Sequence, residues 1–101
     1  MSEVFVIVSA KHTQPRDKYI TFWRPARKGY CWPLSWAGHY DANDAAQIAE
    51  GGLGQTFSVP LNVALAMSEA PARGQVDGDA GPVVPKTKAN MQALRAATVH
   101  S

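Results

Sequence analysis

The order of segments in this chain predicts an α+β domain: a small antiparallel sheet of three to four strands with two to three helices packed on one face. Three observations lead there. Residues 4–10 (VFVIVSA) form a β-branched and aromatic run, residues 19–24 alternate in side-chain direction between two proline-bounded turns, and helix-start signals appear only after Asp41. With 101 residues the chain has room for one core, so 1–101 reads as a single domain. The apolar fraction of 46% and the charged fraction of 18% are those of a globular protein that folds alone.

Residues 4–10 carry apolar side chains on both parities, the pattern of a strand covered on both faces in the middle of a sheet. Residues 12–18 are polar and contain Pro15, so they connect to a second strand over 19–24, with Tyr19, Thr21 and Trp23 on one side and Ile20, Phe22 and Arg24 on the other. Pro25 cannot donate a ladder hydrogen bond and ends that strand. Residues 26–29 turn the chain into a short third strand over 30–32, which Pro33 stops. The first third is thus a basic, aromatic meander.

Asp41 caps a helix over 42–50, Asp44 sits in its favourable first turn, and Gly51 with Gly52 supplies a left-handed stop. Residues 55–59 read as one more strand. Pro60 suits the first position of a helix reaching Ser68, with Leu61, Ala64, Leu65 and Ser68 on one face, and Pro71 prevents its continuation. Residues 70–85 are rich in proline, glycine and aspartate and read as a loop. Thr87 caps a last helix to about Val99, whose packed stripe is Met91, Leu94 and Thr98.

The formal charge of +2 conceals an asymmetry. Up to Tyr40 the cations Lys11, Arg16, Lys18, Arg24, Arg27 and Lys28 face only Glu3 and Asp17, whereas acids outnumber bases beyond it. The basic end is also the aromatic end, because WRPARKGYCWPLSWAGHY (23–40) holds all three tryptophans. Aromatics that dense either fill the core of a small domain or cover a surface made to be touched, and cations beside them attract phosphates or acidic protein surfaces. If Trp23, Tyr19 and the third-strand aromatics point away from the helices, the sheet has an apolar, basic face: a surface for a partner protein or nucleic acid, or a homodimer interface. The candidate binding residues are Trp23, Arg24, Arg27, Lys28, Tyr30, Trp32, Trp36 and His39. Their structural alternatives are core filling for the rings and solvated turn charge for the cations.

No catalytic constellation is identifiable. Cys31 and His39 lack a third, orienting residue, and Ser35, His39 and Asp41 are near only along the chain. Asp77 and Asp79 around Gly78 lack the further acids of a calcium loop, and His12, His39 and His100 have no metal-ligand spacing, so no metal or cofactor is expected. The single cysteine excludes an internal disulfide and fits a reducing compartment. The longest apolar run, residues 4–8, is far short of the ~20 needed to span a bilayer, so a soluble, cytoplasmic protein without membrane contact is expected.

The run Trp23-Arg24-Pro25, Gly29-Tyr30, Leu34 and Ala37-Gly38-His39-Tyr40, ahead of an acidic helix start, resembles a pattern (WRPxxxGYxxxLxxAGxY) of small uncharacterised proteins encoded by bacteriophages and prophages. The likeness covers about residues 5–45, and VPLNVALAM and DGDAGPVVP also look similar; the chain departs from that pattern over 43–55, which is richer in alanine and glycine. The resemblance implies an accessory protein in the cytoplasm of a bacterial host, inhibiting a host protein or complex by stoichiometric binding, as in counter-defence of the anti-CRISPR type. Contact would come through the basic aromatic face, or through acidic positions such as Asp41, Asp44 and Glu50 mimicking phosphates. The alternative is binding of nucleic acid or an ADP-ribose-like nucleotide by the aromatic meander. Labels carried by some members point to ADP-ribose chemistry, so an ADP-ribosyl-group hydrolase is a third reading.

Overall fold

The structure, a computed structural model, describes residues 4–13, 16–51, 55–70 and 81–97. The N-terminal apolar run becomes the strand Phe5–Ser9 (β1), buried at every position. The strands Phe22–Trp23 (β2), Tyr30–Cys31 (β3) and Thr56–Pro60 (β4) join it in one antiparallel sheet of order β3-β2-β1-β4. Among the described residues three helices follow or intervene: Ala42–Gly51 (α1), Leu61–Ala66 (α2) and Lys88–Ala96 (α3). The class is α+β, as the order of segments predicts.

Strand alternation divides the core in two. Val6 and Val8 lie opposite Val59 and Phe57 of β4, Val8 also opposite Phe22, and these residues pack with Ala64 of α2 and Leu94 of α3. Phe5 and Ile7 turn the other way and pack with Tyr40 and with Ala45 and Ile48 of α1. The helices therefore occupy both faces, and the expectation of helices on one face is corrected. The reason is β1 itself: each apolar side chain taken from water contributes about 1.5–3 kcal/mol, so a strand apolar on both parities needs a cover on both sides.

The second strand is also shorter than its alternation suggests. Only Phe22 and Trp23 are ladder residues; Thr21 O still accepts the Ser9 N–H of β1 (2.9 Å), but the other groups of the chain before them are held elsewhere. Thr21 donates its N–H to Thr13 Oγ1 (3.0 Å) and its hydroxyl to the His12 carbonyl (3.1 Å), and Ile20 donates to Val84 O (2.9 Å). The two-sided arrangement nevertheless holds: Ile20 and Phe22 join the larger core cluster while Trp23 packs on the smaller.

Residues 81–86 are the part of the fold least like its sequence reading. The stretch read as a loop contributes Val83 and Val84, both with 0% exposure, to the interior. Glu69 and Val83 exchange backbone hydrogen bonds (2.8 and 2.9 Å), Leu34 donates to Pro82 O (2.8 Å), Ile20 to Val84 O (2.9 Å) and Lys86 to Lys18 O (2.8 Å). This short segment thus ties the end of α2, the turn after β3 and the approach to β2 together. Residues 71–80 of the same stretch lie outside the described residues.

Helix signals are read more faithfully than helix ends. Asp41 Oδ1 accepts the Asp44 N–H (2.8 Å) at the start of α1, and Thr87 Oγ1 accepts the Asn90 N–H (3.0 Å) at the start of α3. Gly51 is the last helical residue of α1 and not a left-handed stop, while Gly52 lies outside the described residues. Pro60 precedes α2 with extended ψ of 138°, closing β4, and the helix ends at Ala66, short of Ser68. Of its expected packed face Ala64 is buried, but Leu65 is exposed. In α3 Leu94 is buried and Met91 packs against the core; Thr98 lies outside the described residues.

Replacing Val84 with alanine removes two methyl groups from a fully buried site, so urea unfolding is expected to show a loss of about 2–3 kcal/mol. A solvated loop position would lose less than about 0.5 kcal/mol.

Candidate functional site

Two left-handed residues shape the turn that carries the aromatic run. A single 3-10 turn at Pro25–Arg27 holds Ala26 at φ 57°, and Gly29 follows at φ 110°, a backbone conformation that side chains oppose. The turn closes with the Arg24 N–H on Gly29 O (2.8 Å) and sets Tyr30 opposite Trp23. Gly38 locks the other side. Its N–H meets Trp23 O at 2.8 Å, and a Cβ there would lie 2.6 Å from the Tyr40 ring and 2.9 Å from Pro25 Cα. Tyr40 in turn donates its hydroxyl to Arg24 O. The WRP and AGHY stretches are therefore two halves of one joint.

That joint distributes the sequence candidates over two faces and does not gather them on one. Trp36 is half-buried against the larger core cluster, with the Arg24 guanidinium 5.3 Å from its ring centroid. Arg24 is committed further, since its Nε–H donates to Tyr30 O at 3.0 Å. Trp32 is half-buried with its ring edge-on to Tyr19 at 5.5 Å, and Tyr19 is itself buried. Trp23 lies half-buried on the α1 face, so the picture of Tyr19 and Trp23 on an uncovered face is corrected: Tyr19 is interior, and a helix covers part of the Trp23 side. Lys28 and His39 are exposed. Arg27 is placed by its backbone at the end of the 3-10 turn, and its side chain lies outside the described residues, as do Asp77, Asp79 and His100.

What remains open is the corner around Tyr30, on the short edge strand and 42% exposed. The His12 ring stacks on it at 3.8 Å with 23° between planes, and the Trp23 ring meets it edge-on at 6.0 Å and 86°. His12 is oriented from behind: Nδ1 lies 2.8 Å from the buried Ser9 Oγ, which also takes the His12 N–H at 3.3 Å. The stacked pair forms a ridge between two shallow grooves. One, of about 320 Å³, runs past Asp17, Thr21 and Trp32; the other, of about 350 Å³, runs past Lys11, Trp23, Gln55 and Thr56. The indole Nε1–H of Trp23 is buried without a hydrogen-bond partner.

His12 is the site residue that reading for aromatics and cations misses. The available signal is Ser9-x-x-His12 just past a strand end, where a hydroxyl and an imidazole three residues apart meet in a turn. Cys31, by contrast, is buried beneath the ridge, its thiol donating to Pro33 O at 3.6 Å. Burial pushes that thiol from 9.0 up to about 11, against the lowering effect of Arg24. Such a group is poor in thiolate and therefore a poor nucleophile. Among the described residues no helix is long and apolar enough to cross a membrane. Comparison of the chain with protein-family models, curated proteins and solved structures finds no match.

With the thiol raised from 9.0 to about 11, native Cys31 at pH 8 carries about a hundredfold less thiolate than the unfolded chain. Thiol-reagent labelling should slow in the native protein by at least that factor and recover in denaturant. Because the folded value is the higher, this contribution to stability is complete below pH about 9 and disappears as pH rises through about 11.

Proposed function

We propose that the protein is a small phage- or prophage-encoded binding protein that inhibits a host component, as in counter-defence, by stoichiometric protein–protein contact through the Tyr30 corner. The observation that carries this reading is the braced ring: Tyr30 is 42% exposed, stacked on His12 and held edge-on by Trp23. An aromatic anchor already fixed in place surrenders little conformational entropy on binding, which is the property of interface hot spots. The phage origin rests on the WRP, GY and AGxY run, whose pieces meet in the joint that positions this ring.

The test is capture of a host protein by the immobilised chain, followed by titration of that protein's activity. Tyr30→Ala should weaken capture by at least about tenfold, a larger loss than the modest fall in unfolding midpoint expected from its lost ring contacts with His12 and Trp23. Trp36→Phe, on the other face, should leave capture intact. Recovery of no stoichiometric partner, or equal capture by Tyr30→Ala, sinks the reading.

A second reading, nucleic-acid or nucleotide binding, is favoured by the flatness of the His12–Tyr30 stack and by the exposed cations Lys11, Arg16, Lys18 and Lys28 in the adjoining turns. It predicts that a short single-stranded oligonucleotide binds with an affinity that falls steeply with salt and weakens in Tyr30→Ala. Absence of binding at low salt disposes of it.

A further inference from the structure

The pairing that closes the fold at residues 82–86 also gathers charge. Lys86 donates its N–H to Lys18 O (2.8 Å), Ile20 donates to Val84 O (2.9 Å), and Tyr19 bridges Pro85 between them. This antiparallel register sets Lys18 and Lys86 directly opposite each other, where Cβ atoms are about 4.5–5.5 Å apart and like charges repel. Thr87 is extended, at φ −117° and ψ 157°, so Lys88 leaves the chain on the same side as Lys86. Lys88 is also the first residue of α3, a position where the helix dipole disfavours a cation. Three cations from two distant segments therefore stand together against the local electrostatics.

Their backbone is held firmly. The Thr87 N–H meets Pro85 O at 3.0 Å, Asn90 Nδ2 donates to the same carbonyl at 2.9 Å, and Thr87 Oγ1 accepts the Asn90 N–H at 3.0 Å. Lys18 and Lys88 are exposed, Lys86 is half-buried, and Arg16 is exposed just ahead of them. Among the described residues the acids on the paired segments are Asp17, which lines the groove past Thr21 and Trp32, and Glu69, opposite Val83. The cations outnumber them, so the patch stays positive. What such a patch attracts depends on what stands beside the charge. Protein interfaces are anchored by Trp, Tyr and Arg and are depleted in lysine, and membrane surfaces are held by apolar side chains next to basic ones. The exposed large apolar side chains are Val4, Tyr30 and Leu65, and none of them belongs to residues 16–20 or 82–90. Lysine is a compact point charge that meets a phosphate oxygen without the fixed planar geometry of an arginine fork.

We propose that Lys18, Lys86 and Lys88 form a contact surface for the phosphodiester backbone of nucleic acid and bind it without reading its bases. The inference rests on the nucleic-acid reading above and places the electrostatic part of that contact where residues 16–20 meet the start of α3. A phosphate between Lys18 and Lys86 turns their mutual repulsion into a shared attraction, and such contacts carry no sequence information.

The experiment titrates two labelled single-stranded oligonucleotides of unrelated sequence with the full chain at several salt concentrations, following fluorescence anisotropy. Both are expected to bind alike, with log affinity falling against log salt at a slope of about −2, the value for three phosphate contacts on a single strand. Lys18→Ala and Lys88→Ala, both at exposed positions, should each lower affinity and reduce that slope by about a third, with the unfolding midpoint kept or raised. Lys18→Arg should preserve the slope, and so should Tyr30→Ala, which removes a ring and no charge. Binding whose slope is indifferent to Lys18→Ala and Lys88→Ala overturns the proposal and leaves the Tyr30 stack as the nucleic-acid site. Competition by poly-glutamate or by phosphatidylserine vesicles as strong as that by unlabelled oligonucleotide overturns it in favour of an acidic protein or a membrane. Binding of neither oligonucleotide at low salt overturns both readings.

Discussion

β1 has no side that meets water. Val6 and Val8 face α2 and α3, Phe5 and Ile7 face α1, and none of the four exceeds 3% exposure. A strand of this kind has to be sandwiched, and the described helices are accordingly placed on its two faces. α1 covers β1 and β4 on its side, and among the described residues the β2–β3 end carries the rings of Trp23, Tyr30 and His12. The exposed aromatic corner thus lies where, among the described residues, the helices that enclose the doubly apolar strand do not reach.

Much of this arrangement is legible in the residues. The two-sided burial of β1 follows from its apolar parities, and its logical consequence, helices on both faces, is contained in the same observation. Asp41 and Thr87 announce their helices because side-chain capping is a local interaction. The GPVVP stretch is illegible for the opposite reason. Proline and glycine signal irregular backbone correctly, but irregular backbone can still be interior when distant partners satisfy its hydrogen bonds, and those partners (Glu69, Leu34, Ile20 and Lys18) are far away in sequence.

The aromatic run from Trp23 to Tyr40 answers both of the roles its composition suggests. Trp36 and Trp32 brace the interior, and Arg24 is drawn inward with them by a ring and a carbonyl. Of the tryptophan and tyrosine rings in the run, Tyr30 is the exposed one, and it stacks on His12, a residue that contributes neither to the aromatic count nor to the formal charge. Composition identifies the region. Only the turn geometry at Gly29 and the close approach at Gly38 decide which rings go inward.

The segment from Pro82 to Lys86 bears on how the chain is made as well as how it is held. Its partners sit at positions 18, 20, 34 and 69, so this part of the interior cannot close during synthesis until residues 82–86 have left the ribosome. Until then β1 emerges early with both greasy sides bare, and contacts of such long sequence separation form slowly.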